Sequence, residues 1–260
     1  MNYWTELSMQ YANQRSYLDD LFQVYPTIPD GIRDIDKNRW GKIEGAFERK
    51  DNETLLKELL KLELFPYKDS YVAYLKKDLS SLNRNPKTIN RICGRLYEMG
   101  LDRIFERCSE PKETNRQIGP MFGNWVKNKS LGILPVKKEV FLNTQCDAIL
   151  DGTDDEKKDF AKEHLNYHRD KGLDLVARFN NRYVIGEAKF LSSDGGSQNS
   201  DFEDAVATLE TKNVRAVKVA ILDGVLYIPS KMKMHRFITD SYKDYNIMSS
   251  LVLREFLYQL

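Results

Sequence analysis

Cysteine is scarce in this chain: Cys93, Cys108 and Cys146 are an odd, widely spaced set among 260 residues. They build no disulfide framework, so a reducing cytoplasm is the expected compartment and buried small hydrophobes their expected role. No apolar run approaches the ~20 residues a membrane helix needs. The opening MNYWTELSMQ lacks the basic-then-apolar order of a secretory signal. Histidine is equally sparse. His164 and His168 have helical spacing but no companion ligand pair, so a solvated helix face is expected there and not a zinc site. A Gly-rich phosphate loop, a Gly-x-Ser-x-Gly elbow, an internal repeat and a low-complexity tract are all missing. So is any excess of charge, 40 Lys and Arg standing against 39 Asp and Glu for a net +1, which by itself speaks against a polyanionic partner. What remains is an ordinary folded composition, 41% hydrophobic and 30% charged, long enough for one large domain or two small ones.

The first hundred residues carry helical periodicity. Trp4, Leu7 and Tyr11 start a pattern that runs to about Tyr25, before the Pro26–Gly31 loop. Trp40, Ile43 and Phe47 mark a second helix. Leu55, Leu56, Leu59 and Leu60 mark a third, with an N-cap at Asp51 or Asn52 and a stop at Pro66. Val72, Leu75, Leu79 and Leu82 form another stripe, and Ile89, Ile92, Leu96 and Met99 one more before the capping Gly100. After about residue 115 the texture changes. Residues 139–142, 173–179, 182–190 and 214–222 read as strands, and Phe202, Ala205, Val206 and Leu209 as a helix. Asp223-Gly224 is a hairpin signal into a strand at 225–228, and an apolar helix spans 247–260. The expected organisation is a helical region over 1–110, packed on a core over 111–260, with an α/β (α+β) architecture: a mixed central sheet flanked by helices.

Chemistry concentrates at 172–190. Two strands flank Asn180-Asn181, and Asn tolerates the left-handed conformation that both central positions of a type I′ turn demand. Such a turn sets Phe179 against Arg182 and, counting outward, Asp174 against Glu187. Facing residues share a side of the sheet, with Cβ atoms about 4.5–5.5 Å apart. Lys189, two residues past Glu187, shares that side. Two opposed carboxylates repel. A divalent cation removes the penalty, and hard oxygen donors suit Mg²⁺. Such an ion acidifies water and neutralises charge on a phosphoryl oxygen, with Lys189 able to assist, so the set points to metal-assisted phosphodiester hydrolysis. A surface salt-bridge cluster would use the same residue types. Val184, Ile185, Ala188 and Phe190 make the strand read as buried on both faces, however, and buried carboxylates need partners. Gly186 leaves room for a close neighbour.

Asp174, then Glu187-Ala188-Lys189 after twelve intervening residues, resembles the PD-(D/E)XK nuclease signature, with Leu173 where that family usually has Pro. The continuation at 190–199 and the segment at 111–122 resemble type II restriction endonucleases more narrowly, so the likeness spans residues 111–210. The resemblance implies a restriction-endonuclease-like core and a Mg²⁺-dependent enzyme that cuts both strands of a short DNA site, and a symmetric site would favour a two-fold homodimer. It implies that Asp174, Glu187 and the backbone carbonyl of Ala188 hold the metal, and that Lys189 assists the attack. It also implies an acid from an upstream helix, for which Glu113 is the first candidate and Glu139 the second.

For DNA recognition, Ser197, Gln198 and Asn199 follow the catalytic strand in a Gly-rich loop, and amide side chains suit bidentate pairing to adenine. The same loop could simply cap the next helix, with Ser200 or Asp201 as N-cap. Arg116 and Gln117 are further candidates upstream. Charge is uneven: residues 111–140 sum to +4, 211–237 to +5 and 147–163 to −4. Basic stretches beside the proposed site suit phosphates, so the neutral total does not exclude DNA. Two other readings stand beside this one. One is a structure-specific or repair nuclease on the same core. The other is a non-catalytic DNA-binding module using Thr88, Arg91 and Arg95 on one helix face.

Overall fold

Short polar side chains start the early helices. Asn2, Asp36, Asp51 and Asp69 each accept a backbone N–H from the turn that follows, at 2.8–3.1 Å. The structure, a computed structural model, describes residues 1–260 except Arg15, 27–30, 112–117, Asp194, Lys231 and the side chain of Ser197. In chain order the early helices are α1 (Tyr3–Ala12), α2 (Tyr17–Val24), α3 (Lys37–Glu48), α4 (Asn52–Leu60), α5 (Ser70–Lys77), α6 (Pro86–Met99) and α7 (Leu101–Cys108). The single helix expected up to Tyr25 is broken into two. Asn13 donates its side-chain amide to the Met9 carbonyl at 2.7 Å, competing with the backbone for the last turn. The 72–82 stripe is also divided: α5 ends at Lys77, and Asp78 caps a 3₁₀ turn at Leu79–Leu82. Gly100 closes α6 as expected, at φ 77°.

The chain falls into two compact units, Met1–Thr27 with Thr114–Leu260, and Ile28–Glu113. The second is helical and has its own core, centred on Ile43, Leu55, Leu56, Leu59, Ile92, Leu96 and Ile104, all fully buried.

The first unit holds the sheet. Its remaining elements are α8 (Ile118–Lys127), α9 (Lys138–Asn143), β1 (Ala148–Ile149), α10 (Asp154–Leu165), β2 (Leu175–Phe179), β3 (Arg182–Leu191), α11 (Ser197–Leu209), β4 (Val217–Gly224), α12 (Lys233–Arg236), β5 (Ile247–Met248) and α13 (Ser250–Tyr258). The strand order is β1-β2-β3-β4-β5, antiparallel from β1 to β3 and parallel from β3 to β5. The expected mixed sheet flanked by helices is therefore present. Alternate residues supply two layers. Val176 and Ile185 join Phe141, Phe160 and Leu165 on one side, while Leu175, Ala177, Phe179 and Val184 join α2, α8 and α13 in the larger core.

Two strand expectations fail. Residues 139–142 are helical, with Phe141 buried as the anchor while Val140 and Leu142 stay exposed; so short a run carries too little periodicity to separate strand from helix. Residues 225–228 begin a 3₁₀ turn and not the second arm of a hairpin. β4 already has β3 and β5 as neighbours, so no edge remains for a hairpin partner. Gly224 still does what only glycine can: its φ is 106°, and a Cβ there would stand 2.1 Å from the Leu191 carbonyl oxygen.

Candidate active site

The β2–β3 turn takes the anticipated form. Asn180 and Asn181 have φ of 48° and 62°, and the register runs from Phe179 opposite Arg182 to Leu175 opposite Gly186. One step further the ladder leaves that register: Asp174 donates its N–H at 3.1 Å to the carbonyl of Gly186, the residue already opposite Leu175. Asp174 still lies close enough to Glu187 for their charges to interact, and Asp174 Oδ2 accepts the Ala188 N–H at 2.7 Å. Lys189 Nζ stands 3.4 Å from Glu187 Oε2. The Glu187 side chain is 2% exposed and its Oε1 has no hydrogen-bond partner. Burial, and next the charge of Asp174, pushes its carboxyl up to about 8. Burial pulls the Lys189 ammonium down, but Asp174 and Glu187 outweigh it and hold it above its ordinary value. Gly186 makes this packing possible, since a Cβ there would lie 2.6 Å from Val219 Cγ2 on β4.

Sequence reasoning missed Asp154. It opens α10 directly after Thr153, whose hydroxyl and the Glu156 carboxylate form a reciprocal capping box. Burial, then the nearby Asp174 charge, raises the Asp154 carboxyl. One turn on, Lys157 lies 3.7 Å from Asp154 Oδ1 and donates to the Asp174 carbonyl oxygen at 2.9 Å. A cavity of about 330 Å³ opens beside both aspartates, walled in part by Gly119 and Gly123 of α8. The signal was legible as Thr-x-x-Glu at 153–156, which announces a helix start; that the start points at Asp174 was not.

The other expected residues are placed as follows. Glu113, Arg116 and Gln117 lie outside the described residues. Glu139 is exposed on α9. α11 starts at Ser197, earlier than the caps expected at Ser200 or Asp201, with Gly196 as N-cap at φ 55°. Gln198 is consequently buried in its first turn, and its side-chain carbonyl accepts the Ser192 N–H at 2.8 Å, so it braces the loop. Asn199 is half-buried. Several lysines of the basic stretches are engaged: Lys127 and Lys137 with Asp151, Lys138 with Glu163. Lys218 donates to the carbonyls of Leu209 and Thr211. On α6, Arg91 is half-exposed and pairs with Asp69 at 2.7 Å. Cys93 and Cys108 are buried as expected, whereas Cys146 is exposed.

Among family models, that of the Tsp45I type II restriction enzymes matches residues 2–260, almost the whole chain. The chain belongs to this family. No curated protein and no solved structure matches it. Membership makes it a site-specific deoxyribonuclease acting on DNA. Among the described residues no helix is long and apolar enough to cross a membrane.

Restriction enzymes of type II generally use divalent metal ions, so the fit of the residues matters. Among the described residues no three His, Cys, Asp or Glu side chains are already gathered as a ligand group. The donor chemistry nevertheless suits a hard cation: two carboxylates and the Ala188 carbonyl, with a buried carboxylate oxygen, Glu187 Oε1, left without a partner.

Proposed function

We propose that this enzyme cleaves both strands of a short DNA sequence by Mg²⁺-dependent hydrolysis at the Asp174–Glu187–Lys189 site, in the manner of PD-(D/E)XK nucleases. The observation that carries the reading is the unpartnered oxygen of the buried Glu187 beside the half-buried Asp174, two acids that a shared cation would satisfy together. Asp174, Glu187 and the Ala188 carbonyl would hold the metal, with Asp154 as the helix-borne acid ahead of the first candidate Glu113 and the second, Glu139. When bound, the ion supplies a Lewis acid for the phosphoryl oxygen and a lowered pKa for water. Asp174, fixed by the Ala188 N–H, orients its free oxygen toward the cavity side. A cation held there would take the place of the proton that burial favours on Glu187. Lys189, held by the acids around it, places an ammonium where charge grows on the scissile phosphate and stabilises it there.

For recognition, Ser197 and Asn199 at the head of α11, together with Arg116 and Gln117, are the proposed DNA contacts, while Gln198 braces the loop before α11 through the Ser192 N–H. A symmetric site would be cut by a two-fold homodimer, one centre per strand.

The test is digestion of mixed-sequence plasmid with Mg²⁺ and mapping of the ends. Discrete fragments are expected with the unaltered chain and none with chelator present. Asp174→Ala and Lys189→Ala should each lower cleavage by roughly two to three orders of magnitude while leaving Ca²⁺-supported DNA binding intact, and Asp154→Asn should lower it less. Full cleavage by Lys189→Ala would sink the assignment of the site.

A further inference from the structure

The helical unit contains a cavity of about 520 Å³ between the 64–68 loop, the C-terminal end of α6 and the outer face of α7. Four cations line it, Lys68, Arg95, Arg103 and Arg107, against two acids, Glu98 and Glu110. Lys68 and Arg103 make no ion pair or side-chain hydrogen bond among the described residues. Among the described residues Arg95 and Arg107 pair only with Glu98 and Glu110, three residues further on, at 2.9 and 2.6 Å. Those pairs are between 45% and 68% exposed, and such surface pairs are worth little, so an incoming anion can displace the acids. Arg103 and Arg107 are also one turn apart on α7, a mildly unfavourable like-charge pair that an anion between them would relieve. The guanidinium fork matches phosphate oxygens two at a time.

We propose that this cavity is a phosphate site that grips the backbone of duplex DNA from the helical unit, which carries none of Asp154, Asp174, Glu187 and Lys189. The inference rests on DNA being the substrate and not on the catalytic assignment, and binding alone tests it. Backbone contacts of this kind add affinity and register without reading sequence.

The experiment measures binding of the full-length chain to a mixed-sequence duplex with Ca²⁺ in place of Mg²⁺, between about 50 and 200 mM salt. In the triple variant Arg95→Gln, Arg103→Gln, Arg107→Gln, affinity should fall alike for every sequence. The slope of log K against log salt should become shallower by about 0.9 for each phosphate no longer neutralised. Arg103→Lys alone should keep the slope. The variant Glu98→Gln, Glu110→Gln removes the competing acids and should bind more tightly, which keeps the test decisive should the triple variant fail to fold. A folded triple variant with the unaltered slope, or no gain from the glutamine pair, would overturn the proposal. So would inorganic phosphate raising the Tm of the original chain and not of the triple variant while the DNA slope stays the same, since the site would then serve a free anion.

Discussion

At the residue scale the site depends on an absence of atoms. Gly186 lies on β3 next to Glu187 and faces Val219 of β4, and its missing Cβ lets Val219 approach closely. Gly186→Ala would force β3 and β4 apart at the step before Glu187. The expected cost is about 1–3 kcal/mol of stability, as for other overpacked interiors. Cleavage should fall further than stability, because Glu187 and the Ala188 N–H that fixes Asp174 both move. Urea denaturation and a cleavage assay on the same preparation check this; unaltered cleavage would show that the strand spacing here is not what places the acids.

At the element scale, caps decide where helices begin, and with that which side chains reach a site. The Thr153–Glu156 box starts α10 so that Asp154 and Lys157 both meet Asp174. In the helical unit Asp69 caps α5 and pairs with Arg91 of α6, tying the two helices together. The hydrogen bond from Arg91, outweighing the opposing effect of burial, holds the Asp69 carboxyl below its ordinary value. A carboxyl lowered on folding stabilises the fold above its unfolded pKa, and that contribution is lost as pH falls through the folded value. Asp69→Ala should therefore cost about 1 kcal/mol at neutral pH. The gap between variant and original should shrink as pH drops below ~4, the ordinary range of an Asp. Denaturant unfolding across that pH range measures it, and a gap independent of pH would remove the charge from the explanation.

Across the sheet unit as a whole, one buried carboxylate joins distant parts of the chain. Asp223, at the end of β4, accepts from the Tyr25 hydroxyl at 3.0 Å and from the Ser250 N–H at 3.2 Å, and from the Ser249 hydroxyl that caps α13. It is fully buried, and burial raises its carboxyl despite these donors. Residues 198 positions apart in sequence are thereby fixed to each other. The Tyr25 ring also packs on Phe190, next to Lys189, at 5.5 Å between centroids. Tyr25→Phe should lower stability by about 1–3 kcal/mol, because a buried acceptor loses a donor with no water to replace it. A thermal melt tests this, and an unchanged Tm would mean that the other donors suffice.

How much was legible in advance follows the range of the forces involved. Asn180-Asn181 dictates a two-residue turn through its own backbone preference, so the register from Phe179–Arg182 to Leu175–Gly186 was determined by sequence alone, while at Asp174 the ladder departs from it. The same holds for the Asp51 cap and the Gly100 stop, which act within one helical turn. Residues 139–142 and 225–228 were misread because a four-residue apolar run fits strand or helix equally. Contacts from elsewhere settled them: Phe141 packing on Phe160, and β4 already flanked by two strands. Asp154 belongs with these. It lies twenty residues before Asp174, and nothing local links them; the packing of α10 against β2 brings them to one cavity. Gln198 shows the converse, a polar side chain in a loop-like sequence that the helix start turned inward. Local backbone chemistry wrote the hairpin and its acids into the sequence, while side-chain burial, which depends on every neighbour at once, was decided only when the chain had folded.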